Sequence, residues 1–130
     1  MTMYKSAQGE LYKALRRRLL RDGIPVGETA EYPRIEIHSF TENPPQDKDG
    51  YMRTVSCIVE SMSEDRMADV LSMNEGNLDL LRKALSLDTS WRIIDIIPGQ
   101  LQEMTESTET NKILYRLLQN ITVYVERLTE

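Results

Sequence analysis

Cysteine, histidine, tryptophan and phenylalanine occur once each in the 130 residues. A lone Cys57 excludes an intrachain disulfide and any multi-cysteine zinc site. A lone His38 removes most metal and acid–base constellations. The six glycines stand apart at positions 9, 23, 27, 50, 76 and 99, so no Gly-rich phosphate loop can form. CxxC, HExxH and GxSxG are all missing. No apolar run approaches the roughly 20 residues of a transmembrane helix. The first residues carry Lys5, Glu10 and Lys13 without an apolar stretch, unlike a signal peptide. A cytosolic, reducing compartment is the expectation. Positive charge is in deficit, with 16 Lys and Arg against 21 Asp and Glu and a net charge of −5. A general nucleic-acid binder would need the opposite balance to displace counterions from phosphates.

What is present is ordinary for a soluble globular chain: 40% apolar and 28% charged residues, which excludes global disorder. The length predicts a single domain over residues 1–130 with one real core. Tyr4, Leu11, Leu15 and Leu19 fall on one stripe and predict a helix from Tyr4 to Asp22, with Gly23 as its C-terminal cap. Arg16, Arg17, Arg18 and Arg21 crowd its last turns, where positive charge suits the helix dipole. Residues Ile24 to Pro33 read as a connection. Arg34 to Phe40 alternates as a strand, Thr41 to Gly50 is a turn-rich loop, and Tyr51 to Glu60 alternates again. The two strands form an antiparallel hairpin with a long tip.

Ser61-Met62-Ser63-Glu64 fits a capping box and opens a second helix to about Leu85. Its stripe runs Met67, Leu71, Asn74, Leu78, Leu81, Leu85, with Gly76 as a point of kinking or splitting. Trp91 to Ile97 is a third strand ended by Pro98-Gly99. Trp91, Ile93 and Ile97 share one face, Ile94 and Ile96 the other. Gln100 to Asn111 reads as a polar, acidic tip. Lys112 to Leu128 is the fourth strand, with room for a bulge near Gln119-Asn120. The fold class is α+β: a four-stranded antiparallel sheet with two helices packed on it, in the order α-β-β-α-β-β.

No catalytic, cofactor-binding or metal residues can be assembled from this pattern. His38 lies on the polar face of its strand, without a nucleophile nearby in sequence. Cys57 shares a face with Val55 and Val59 and reads as a small core hydrophobe. Asp95 inside WRIIDII reads as an edge position or an arginine's partner. The informative feature is apolar excess on both faces of the sheet. Two helices in one layer cover one face, so Ile94, Ile96 and the last strand, Tyr124 included, need cover from the first helix or from another subunit. Arg16 and Arg17 are candidate contact residues as well.

Segments along the whole chain resemble a known family, the bacteriophage tail-completion proteins, also called minor tail or tail-terminator proteins. They are LYKALRRRL (Leu11 to Leu19), YPRIEI (Tyr32 to Ile37), TVSCIVES (Thr54 to Ser61), ADVLSMNEGNLDLLRKAL (Ala68 to Leu85), WRIIDIIPGQLQEMTEST (from Trp91) and YRLLQNITVYVERL (Tyr115 to Leu128). The resemblance implies a phage or prophage structural protein without catalytic residues, cofactors or a small-molecule substrate. Such proteins form a ring, often a hexamer, at the head-proximal end of the tail. The ring stops tube growth and joins the tail to the neck. The implied partners are further copies of itself, tail-tube and neck or connector proteins, with DNA passing unbound and no membrane involved. The implied location is the virion, and the bacterial host's cytoplasm during assembly. Glu103, Glu106 and Glu109 would then line the lumen as a wall that repels DNA. The alternative reading is a small ferredoxin-like regulatory or protein-interaction module acting as a dimer.

Overall fold

The computed structural model describes residues 6–21, 23–27, 31–43, 52–83, 85, 87 and 91–128. Its elements run α1 (Gln8–Leu19), β1 (Arg34–Glu42), β2 (Met52–Ser63), α2 (Met67–Leu81), β3 (Trp91–Ser107) and β4 (Ile113–Arg127). The four strands make one antiparallel sheet in the order β1-β2-β4-β3, and both helices lie against one face of it. The α+β class and the order α-β-β-α-β-β are as the sequence predicts.

Helix α1 buries Leu11, Ala14, Leu15 and Leu19 at helical spacing. Tyr4 and Lys5, the expected start, lie outside the described residues, as does most of the first hairpin's tip, residues 44–51. Instead of a side-chain cap on its own first residue, α1 is tied down from β1. The Glu42 carboxylate accepts hydrogen bonds from Ser6 Oγ (2.8 Å) and the Ala7 amide (3.1 Å). A carboxylate there also suits the positive end of the helix dipole. The helix stops at Leu20, whose backbone is extended, and Gly23 (φ +78°) serves the following turn instead of the cap.

The second helix starts later than its capping signature suggests. Ser61 and Ser63 stay in β2, because the ladder to β4 continues through Ser61↔Leu117 and Ser63↔Tyr115. The Ser61 hydroxyl accepts a hydrogen bond from Asn77 Nδ2 (3.0 Å), and that of Ser63 accepts one from the Asp65 amide (3.1 Å). Helix α2 runs unbroken through Gly76. A Cβ there would lie 3.2 Å from the Arg21 guanidinium, so the glycine admits that side chain.

β3 is the largest departure. Pro98-Gly99 does not end it; the strand continues to Ser107, paired with β4 down to Ile113. Proline is tolerated because β3 is an edge strand. Two bulges interrupt it, and both place the extra residue in β3 rather than at Gln119-Asn120 of β4. The first makes Ile94 the extra residue, and Asp95 steadies it by accepting the Ile96 amide (2.9 Å). The face assignment from simple alternation is therefore corrected. Ile93 and Ile96 both pack on the helix side, while Asp95 and Ile97 turn to the other. At the second bulge a Cβ on Gly99 would lie 3.0 Å from Asn120 Oδ1, so a larger residue there would have to displace the Asn120 side chain.

Candidate assembly interface

The helix layer is off-centre. α1 packs on β1, and α2 packs on β2 and β4. A helix about 10 Å wide covers about two strands spaced about 4.8 Å apart. Two helices displaced toward β1 therefore leave β3 without one. Beyond Ile96, every residue of β3 is exposed on both faces. Ile97 (45%), Leu101 (46%) and Met104 (39%) are open to solvent there, as is Ile94 (48%) before them. Between α2 and β3 runs a groove of about 310 Å³, lined by Glu75, Leu78, Asp79, Leu81 and Arg82 above and by Ile96 and Pro98 below. A second hollow, of about 350 Å³, continues it past Arg82 and Lys83 to Ile93 and Asp95.

The expected contact residues divide among several places. Arg16 and Arg17 are exposed on α1, and Arg16 Nε donates to the Val26 carbonyl (3.3 Å). Ile94 protrudes at its bulge, whereas Ile96 is half-buried against the core, so these neighbours do not form one outward patch. Tyr124 (36% exposed) faces away from the helices opposite Thr54 and Asp95. The three glutamates do not make one wall. Glu103 sits opposite Leu117 on the helix side, Glu106 lies on the other side, and Glu109 is in the turn.

Charge closes part of the helix-free face, a feature the sequence did not reveal. Glu60 is 1% exposed. Its carboxylate is hydrogen-bonded to His38 Nε2 (2.7 Å) and accepts the Arg116 Nε–H, while Arg116 also reaches Glu106 (3.5 Å). This chain crosses all four strands. Met62 and Leu114, cross-strand from Arg116 and Glu106, are 3% and 4% exposed. The hydrogen bond to Glu60, with the surrounding carboxylates, holds the Arg116 pKa above its ordinary value against the effect of burial. A second buried polar group joins the helices to the sheet. Arg21 donates to Asn77 Oδ1 (2.9 Å) and the Met73 carbonyl (3.2 Å), and burial lowers its pKa. Asn74 Nδ2 donates to Gln119 (3.2 Å), which in turn donates to the Gly99 carbonyl (3.1 Å) at the β3 bulge. Asn74, one of two asparagines on the buried face of α2, thus fixes α2 over β4.

Cys57 is fully buried under the helices, and loss of solvation pushes its thiol pKa up to about 12. Such a thiol is inert as a nucleophile at neutral pH. Among the described residues no cluster of three or more His, Cys, Asp or Glu could hold a metal ion, and no helix is long and apolar enough to cross a membrane.

No protein-family model matches the sequence, and no curated protein matches it. The fold is similar to that of a chain in the solved virion of a native gene transfer agent particle. The TM-score is 0.72 at 14% identity, over 95% of this chain and 99% of that one. At that identity the likeness defines the class of fold.

Proposed function

We propose that this chain is a structural component of a phage or phage-like virion, and that it acts as tail-completion proteins do. In this reading copies form a ring at the head-proximal end of the tail, stop tube growth there and join tail to neck. The observation that carries it is the end-to-end fold likeness to a virion chain, with almost nothing left over on either side. The bare edge strand supports it. A 17-residue edge strand that is exposed throughout its second half, apolar side chains included, is an aggregation hazard in a protein that acts alone, and a joint in one that assembles. Because fold does not fix function, the resemblance of the sequence segments to the tail-completion family is the second support. The reading requires no catalysis and no cofactor. Glu106 and Glu109 would face the lumen, where negative charge lets DNA slide past.

The test is deletion of the gene in the genome that encodes it. The expected outcome is full heads separated from tails whose tubes vary in length, corrected by supplying the protein in trans. Particles of normal length and joining would contradict the reading. The dimeric regulatory module instead predicts intact particles and a fixed dimer in light scattering.

A further inference from the structure

The two ends of the helix layer are unlike and fit each other. At one end, Lys13, Arg16 and Arg17 follow one another at helical spacing on α1, opposite the buried stripe of Leu11, Leu15 and Leu19, and Leu20 stands just past the helix end. Leu20 is 58% exposed, the most open of the large apolar side chains among the described residues. At the other end lies the α2–β3 groove. Its β3 floor is apolar, with Ile96 and Pro98 facing Leu78 of α2, and Leu101 follows on the same face of β3. Glu75 and Asp79 stand on its α2 rim and Glu103 lies farther along β3, with Arg82 as the basic residue at the far end. The groove sits where a third helix of the layer would lie.

The molecule's own α1 cannot fill it. Glu42 holds the start of α1 at the end of β1, and Arg21, just past its end, is bonded to Met73 and Asn77 on the opposite flank of α2. We propose that α1 of a second copy of this chain lies in the groove, its basic stripe against Glu75, Asp79 and Glu103 and its Leu20 on the apolar floor. This rests on the assembly reading above and names its self-contact. The two surfaces lie at opposite ends of one protomer, so the contact is heterologous. Each copy gives a helix to one neighbour and takes one from the other, and a constant rotation closes the set into a ring. Matched charge fixes the register, and the apolar floor supplies affinity.

The test uses single-cysteine proteins in a Cys57→Ala background, one of them enlarged by a tag. Leu20→Cys and Leu101→Cys are mixed under mild oxidation at concentrations where light scattering reports the association state. The mixture is expected to give at least about tenfold more disulfide-linked pairs than either variant alone. Adding Arg16→Glu and Arg17→Glu to the first variant should abolish the product, and adding Glu75→Lys and Asp79→Lys to the second should restore it. Circular dichroism of each variant guards against loss of folding. Self-linking of either variant as efficient as the mixture would indicate a two-fold dimer and overturn the proposal. So would a mixed product no greater than that of a Thr54→Cys control on the helix-free face, or a monomer at every concentration. In those cases the virion reading would still stand or fall by the deletion phenotype. A specific cross-link with normal particles in the deletion would remove the virion reading and keep the contact.

Discussion

The two edges of this sheet are built on opposite principles. β1 is short and guarded. α1 lies over it, and the Pro25–Gly27 segment pairs with Ile35 through the Gly27 amide to the Ile35 carbonyl (2.8 Å) and the Ile35 amide to the Pro25 carbonyl (2.9 Å). A bulge with Ser39 at φ +60° twists its second half away. These are the devices by which proteins blunt an edge. β3 is nearly twice as long, has no helix over it and exposes Ile94, Ile97, Leu101 and Met104. Its bulges, Pro98 and glutamates limit which strands or helices could settle there, without hiding it. The contrast sets an edge that the monomer itself guards against one that it leaves open, which is the edge the proposed assembly would use.

Substitutions at the two edges should therefore act on different observables. Ile35→Ala, at a fully buried site in β1, should cost about 2–5 kcal/mol in urea denaturation, from lost transfer energy and a cavity. Glu60→Gln should cost less, about 1–2 kcal/mol, because His38 and Arg116 keep partial access to water when their carboxylate goes. That loss should fall on the monomer, and its denaturation midpoint should not depend on protein concentration.

Cys57 provides a chemical version of the same contrast. It should resist thiol reagents at neutral pH in the native state, whereas a cysteine introduced as Ile97→Cys should react within mixing time. The pH dependence follows in sign. Burial raises the folded-state pKa from 9.0 to about 12, so above pH 9 the unfolded chain holds fewer protons than the folded one. Stability should be full below pH 9 and fall as pH rises through that window. Urea midpoints for the wild type and Cys57→Ala, taken across it, should diverge, with the variant losing less. The smallest effect on folding belongs to Ile97→Ala on the open edge, within about 0.5 kcal/mol. A large loss of monomer stability there would mean that β3 is part of the protected core after all.

Element order and class were legible because the core stripes are strong: Leu11, Leu15 and Leu19 in α1, the alternation of Val55, Cys57 and Val59 in β2, and the run from Leu117 to Val125 in β4. The misreadings share one physical origin. Ser61 and Ser63 carry a local capping signal, and Pro98-Gly99 a local stop signal, but long-range pairing with β4 overrides both. Gln100 to Asn111 reads as a polar tip because a strand in water on both faces, as β3 is here down to Ser107, has no apolar alternation to show. The single extra residue at Ile94 reverses the faces as far as Pro98, which moves Ile96 inward, and the second bulge restores them; Glu103 and Glu106 part because three positions separate them along an extended strand. The exposure of Ile94 and Tyr124 could be anticipated. The α2–β3 groove and the His38–Glu60–Arg116–Glu106 chain could not, since both depend on register between elements distant in sequence.

Hydrogen–deuterium exchange followed as a function of assembly tests the contrast between the edges most directly. The amides of residues 94–107 that point away from β4 should exchange freely in the dissociated protein and slow by about tenfold or more on association, while those of residues 34–42 stay as they were. Protection that appears in 34–42 instead, or association that leaves 94–107 exchanging freely, would contradict the assignment of β3 as the joining edge.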